Sequence, residues 1–96
     1  TRDLALPTGP IDPREYVPRF ATELALPDGV RERAETLVET AREEGIPGGR
    51  NPAGVAAACL YTAARERDVE LTQAAAADVA DVTPVTLRGT YTELQP

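Results

Sequence analysis

Thr72-Gln73-Ala74-Ala75-Ala76-Ala77-Asp78-Val79-Ala80-Asp81-Val82-Thr83-Pro84-Val85-Thr86-Leu87-Arg88-Gly89-Thr90-Tyr91-Thr92-Glu93-Leu94 holds two helix starts and a helix stop in one short stretch. Thr72 can cap a first helix whose inward positions Ala76, Val79 and Ala80 are small enough for a second helix to cross closely. Asp81 ends it, because Asp is among the few residues other than Gly that tolerate a left-handed backbone. Thr83 followed by Pro84 starts the second helix: a hydroxyl oxygen at the N-cap, then a ring that fixes φ at the first helical position. Leu87, Tyr91 and Leu94 share its inner face at helical spacing, so Val85, Arg88, Gly89 and Thr92 point outward. The stretch reads as a helix-turn-helix whose outward face is free to read DNA. Two short helices with a tight turn also occur in all-helical domains that never touch nucleic acid, so the pattern alone leaves both readings open.

Upstream, three more helices are legible. Asp12-Pro13-Arg14-Glu15 has the layout of a capping box with proline at the first position. Pro18 then requires either a short turn ahead of the first helix or a kink within it. Val17, Phe20, Ala21 and Leu24 form that helix's inward stripe, which Leu26-Pro27 breaks. Asp28 is expected to cap a second, amphipathic helix, with Val30, Ala34, Leu37, Val38 and Ala41 on one face. Glu32, Glu35 and Glu39 belong to its solvated face and not to a metal or acid/base cluster. Gly45 takes the left-handed cap, and Ile46-Pro47-Gly48-Gly49 completes the break. Asn51-Pro52 opens a third helix in which Ala53 to Ala64 has almost no polar face, which requires burial on all sides. Its many alanines let neighbours approach closely, so the segment from Pro52 to Ala64 is the expected hub. The expected fold is all-α, five helices in one domain.

Ninety-six residues make one small domain, large enough for a single helical core. One Cys and no His exclude a disulfide framework or a Cys/His zinc site within the chain. Cys59, among alanines, reads as a small buried hydrophobe. The sequence shows no apolar run of membrane-spanning length and no signal-peptide pattern, so a soluble, cytoplasmic, monomeric domain is expected. The absence of Met and the linker-like opening from Thr1 to Pro10 are read as a piece of a longer protein. There is no nucleophile paired with a base, no phosphate-cradling Gly loop and no metal spacing, so neither an enzyme nor a cofactor is expected.

Four segments carry a resemblance: Asp12-Pro13 to Tyr16-Val17-Pro18-Arg19-Phe20 with Leu24; Gly49-Arg50-Asn51-Pro52 through Ala58, Tyr61 and Ala63; Thr72-Gln73; and Val82-Thr83 to Val85-Thr86-Leu87-Arg88 with Tyr91 and Leu94. In that order they resemble archaeal transcription initiation factor B, the counterpart of the eukaryotic general factor IIB, and specifically the second of its two cyclin-like repeats. The resemblance implies a five-helix cyclin-like domain over residues 12–96, preceded at 1–11 by a linker from the first repeat. It implies promoter recognition, with the helix-turn-helix in the major groove of a purine-rich element upstream of the TATA box. The partners implied are double-stranded promoter DNA, TATA-binding protein and RNA polymerase, in the nucleoid of a prokaryotic cell. The family's base-contacting Val and Arg fall on Val85 and Arg88, one turn apart on one face. Arg can grip O6 and N7 of guanine, and Val can lie against a thymine methyl. Thr72, Gln73, Thr83 and Thr86 would sit near phosphates, beside helix-start amides that favour anions, with Gly89 on the same face. The chain departs from the family at Asp81, usually Gly; at Gly89, usually Asn or Gln; and near Thr90 and Thr92, where basic residues are usual. Without those basic residues, binding assisted by partners is expected. The rival reading is a cyclin-like protein-interaction module without DNA contact, suited by its acidic surface to a basic partner.

The formal net charge is -6, and the ten basic residues are all Arg. A negative domain forgoes the counterion-release term that drives most DNA binding. In molar salt, however, the Debye length falls to about 3 Å, so long-range repulsion vanishes while close contacts remain. An acidic, Lys-free composition resembles that of proteins from organisms with very salty cytoplasm. Screening of repulsion among surface carboxylates should therefore stabilise the fold: a thermal melt followed by circular dichroism should shift upward from dilute buffer to molar KCl, and a flat or falling melting temperature would reject salt adaptation.

Overall fold

The segment from Gly54 to Ala64 leaves no side of its helix for water, and the other helices wrap around it. The computed structural model describes residues 13–45 and 52–94, apart from the side chains at 13, 93 and 94. A 3-10 turn at Pro13–Glu15 leads into five helices: α1 (Tyr16–Glu23), α2 (Asp28–Glu43), α3 (Pro52–Glu66), α4 (Gln73–Val79) and α5 (Pro84–Leu94). Gly54 through Ala64 of α3 are all buried, and each of the other four helices packs against α3. Pro52 and Ala53, expected inside with them, are only partly covered, since the first turn of α3 lies at the edge of the packing. Thr62 is buried in this apolar helix because its hydroxyl donates to the Ala58 carbonyl at 2.8 Å, which removes the cost of an unpaired polar group.

The first turns of α2 meet the end of α3. A Cβ on Gly29 would come within 3.3 Å of the Arg67 guanidinium, and Arg33 donates to both Glu66 carboxylate oxygens, at 2.7 and 3.3 Å. This bond holds the Glu66 carboxyl below its ordinary value, but both side chains are about two-fifths exposed, so the pair contributes less than about 1 kcal/mol. Most of the α2–α3 attraction is apolar, from Val30, Ala34, Val38 and Ala41, all at 0% exposure. Asp28, expected at the N-cap, is instead the first residue of α2. Pro27 is the N-cap, extended at φ -63 and ψ 156, and its carbonyl accepts from Val30 and Arg31. At that position the Asp28 carboxylate still suits the positive end of the helix dipole.

Of the two outcomes open for Pro18, the structure has the short preceding turn. Pro18 is the third residue of α1, where a helix start leaves N–H groups unpartnered anyway, so the ring costs no hydrogen bond. Val17, Phe20 and Ala21 are buried, whereas Leu24 is only partly covered because it is already the C-cap. The caps read at Asp12 and Asn51, the break at Ile46-Pro47-Gly48-Gly49 and the inward placement of Leu94 lie outside the described residues.

Three helices end by one device. After α1, α3 and α4, Ala25, Asp68 and Asp81 take left-handed φ values of 56°, 61° and 58°. The next N–H in each case bonds back five residues: Leu26 to Ala21, Val69 to Ala64 and Val82 to Ala77, at 2.9, 2.8 and 3.0 Å. This is the Schellman arrangement, which satisfies carbonyls that a helix end would leave open. It also turns Leu26, Val69 and Val82 onto the core. That burial offsets the roughly 1–2 kcal/mol by which a left-handed L-residue is disfavoured. Gly45, at φ 77, ends α2 without that cost.

Two outcomes follow for stability. Ala57 has 0% exposure, so Ala57→Leu should cost about 1–3 kcal/mol by overpacking; an unchanged urea midpoint would reject α3 as the hub. Gly89 is exposed inside α5, and Gly89→Ala should add about 1 kcal/mol by helix propensity, read as a melting temperature higher by about 4–8 °C.

Candidate nucleic-acid interface

α4 and α5 form the helix-turn-helix, and side-chain oxygens cap both starts. Thr72 Oγ1 accepts from the Ala75 amide at 3.0 Å, and Thr83 Oγ1 accepts from the Thr86 amide at 3.2 Å. Pro84 is the first residue of α5, its fixed φ suited to that place. Ala76, Ala77 and Ala80 of the first helix and its cap are buried, and Val79 is only partly covered. The sequence reading had Val79 inside and left Ala77 out. Ala77 is covered because it shares a helix face with Ala80, three residues on, and borders the buried Ala76.

α5 lays Leu87 (0% exposed) and Thr90 (2%) inward. Thr90 Oγ1 donates to the Thr86 carbonyl at 3.2 Å. Position 90, beside which the family usually carries a basic residue, thus faces the core and not a phosphate. Leu87, Thr90 and Tyr91 stand at helical spacing, so the period alone would have found Thr90. Val85, Arg88, Gly89 and Thr92 are exposed as expected. Val85 is 74% exposed, and no other large hydrophobic side chain among the described residues is exposed. A single apolar side chain held out in water beside an Arg suits a groove offering both a methyl group and paired acceptors.

The seven residues read as DNA-contacting fall on this one unit. Thr72, Thr83, Thr86, Val85, Arg88 and Gly89 are exposed, and Gln73 is partly buried. Thr83 and Thr86 hydroxyls bond each other at 3.0 Å. Gln73, the first residue of α4, spans to α5: its Oε1 accepts from both Nε and Nη2 of Arg88, each at 3.4 Å. Its Nε2 donates to the Tyr61 hydroxyl of α3, also at 3.4 Å. Tyr61 in turn meets Tyr91 edge to face, ring centroids 5.0 Å apart, and Arg65 caps its ring at 5.7 Å while donating to its hydroxyl at 3.4 Å. That hydrogen bond, with Tyr91 close by, raises the Arg65 pKa above its ordinary value. Sequence reasoning missed Tyr61 and Arg65 as parts of this site; the signal was a Tyr in an otherwise small-residue helix.

Arg88 is the only cation between residues 72 and 94, and the exposed Asp78 and Asp81 stand on the same unit. Elsewhere chemistry is sparse. Burial pushes the Cys59 thiol up to about 12, so it holds no thiolate near neutrality. Among the described residues no three His, Cys, Asp or Glu are grouped to hold a metal ion, and no helix is long and apolar enough to cross a membrane.

Comparison with known proteins converges on one family. The chain is 62% identical over 93 residues to transcription initiation factor IIB 1 of Halobacterium salinarum, covering 97% of this chain and 32% of that protein. It is 44% identical over 92 residues to transcription initiation factor IIB of Haloarcula vallismortis, 96% of this chain and 81% of that one. The match to transcription initiation factor IIB of Methanococcus maripaludis is 46% over 94 residues, 98% of this chain and 28% of the relative. The chain thus spans about a third of the Halobacterium protein. Two of these three relatives come from halophilic archaea, in keeping with an acidic, Lys-free composition. The family described as transcription factor TFIIB repeat matches residues 7–96; with five helices arranged around α3, the chain belongs to that family and has its cyclin-like, all-α fold.

Proposed function

We propose that this chain is the second cyclin-like repeat of an archaeal general transcription initiation factor, and that it binds promoter DNA through α5. In this reading α5 enters the major groove of the purine-rich element upstream of the TATA box, beside TATA-binding protein, and the assembled factor helps recruit RNA polymerase. The observation that carries it is Val85, 74% exposed, one turn from the exposed Arg88 on the outward face of a helix-turn-helix. Arg88 would donate to guanine O6 and N7, and Val85 would pack against a thymine methyl or exclude a wrong base. Thr72, Thr83 and Thr86 lie at the two helix starts, where hydroxyls and amides favour phosphate oxygens. Gly89 leaves the groove-facing side of α5 slim one residue beyond Arg88. With a single cation on the unit, counterion release is small, so TATA-binding protein supplies much of the affinity.

The test is equilibrium binding of the complete natural protein, with TATA-binding protein, to promoter duplexes varied upstream of the TATA box. Arg88→Ala should lose about 1–3 kcal/mol of discrimination at one base pair. Thr86→Ala, which leaves the Thr83 cap on the Thr86 amide in place, should weaken all duplexes evenly. Base preference unchanged by Arg88→Ala would favour the protein-interaction module.

A further inference from the structure

Arg88 stands on an exposed face, yet its guanidinium is not left to choose its own direction. Two of its N–H groups, on Nε and Nη2, converge on one oxygen of Gln73. Those two share one edge of the planar guanidinium, so of its five N–H groups the three on the Nη1–Nη2 end remain. Two hydrogen bonds in parallel from that end are what a guanine edge accepts. Gln73 is oriented in turn. A guanidinium cannot accept a hydrogen bond, so the Gln73 oxygen must face Arg88 and its NH2 must face Tyr61, as the bond to the Tyr61 hydroxyl has it. Tyr61 is 6% exposed and is fixed by Tyr91 and Arg65. The chain Tyr61, Gln73, Arg88, with Arg65 bracing Tyr61 from the solvent side, therefore crosses from the buried hub to the outward face of α5.

We infer that Gln73 is a positioning residue and not a phosphate contact: it holds one edge of Arg88 so that the other edge is presented, already ordered, to guanine. The inference rests on the reading of Arg88 as the base-contacting residue. The bonds at 3.4 Å are long for N–H···O, so they bias the side chain without competing against shorter charge-assisted bonds to a base. Their effect is to remove part of the ordering cost of a long side chain before DNA arrives.

The experiment compares two promoter duplexes, one with guanine at the position Arg88 selects and one without, bound by the complete natural protein with TATA-binding protein. The readout is the ratio of the two affinities, with melting temperatures measured alongside. Arg88→Ala should abolish the ratio. Gln73→Met, which keeps length and helix propensity but cannot accept from Arg88, should reduce it about three- to tenfold, the size of the ordering cost of one such side chain. Tyr61→Phe, which keeps the ring against Tyr91, should reduce it less, and Gln73→Met added to Arg88→Ala should change it no further. A merely structural role for Gln73 would move melting temperature but not the ratio. An equal loss of affinity for both duplexes in Gln73→Met would make it a phosphate contact and overturn the proposal, as would a raised ratio, which would mean that Gln73 withholds Arg88 from DNA. If Arg88→Ala itself leaves the ratio intact, the base-contact reading falls; if only the Gln73 and Tyr61 variants do, that reading stands and positioning alone is rejected.

Discussion

The close approach of four helices to the small-residue face of α3 is the constraint on which the remainder of the structure depends. Ala56, Ala57, Ala58, Ala63 and Ala64 have no exposed surface, so neighbouring backbones pack against methyl groups and gain dispersion contacts at interior density. A helix without a polar face has no preferred side, which is why it can serve as a centre. Its two larger side chains then decide what goes where. Leu60 is wholly buried, and Tyr61 receives Tyr91 of α5 edge to face. With Leu87 and Tyr91 docked on α3, the rotation of α5 about its own axis is fixed, and Val85 and Arg88 must face out. The candidate interface is thus oriented from behind, by packing that never contacts a ligand.

The helix ends show how little backbone the connections use. Three Schellman closures place Leu26, Val69 and Val82 on the core, so each turn both stops a helix and aims the next. In the helix-turn-helix, Asp81 provides the left-handed residue and Val82 the anchor, which sets how α4 and α5 cross. The surface follows a different logic. Ion pairs such as Arg14 with Glu39, Arg31 with Glu35 and Arg33 with Glu66 consume Arg side chains on α2 and its neighbours. α5 carries one Arg, and that one is engaged by Gln73. A binding face with so few cations depends on placing each of them accurately, since it gains little from the general attraction of charge to phosphate.

Much was legible in the residues alone. Thr72, Thr83-Pro84, Asp81 and Gly45 are local signals, and each acts where it stands because capping and left-handed turns involve atoms within a few residues. The burial of Gly54 to Ala64 was legible for a similar reason: absence of a polar face needs no partner to be recognised. Boundaries were less so. Asp28 and Pro27 both suit a helix start, and which carbonyl accepts the first bond shifts the cap by one residue. Ala25 gave no sign of its left-handed conformation, since Ala has no local preference for it; the burial of Leu26 enforces it from outside.

The sequence by itself determined that the chain is all-α, that residues 72–94 form two capped helices, and that Val85 and Arg88 share a face, because helical period and capping are properties of neighbours along the chain. Only the tertiary structure decided that Gln73 lies between Tyr61 and Arg88. Those contacts join residues 12 and 15 positions apart, on three helices, and nothing in the local chemistry of a Gln at a helix start selects them. They exist because α3 brings α4 and α5 together at the close spacing that its alanines permit.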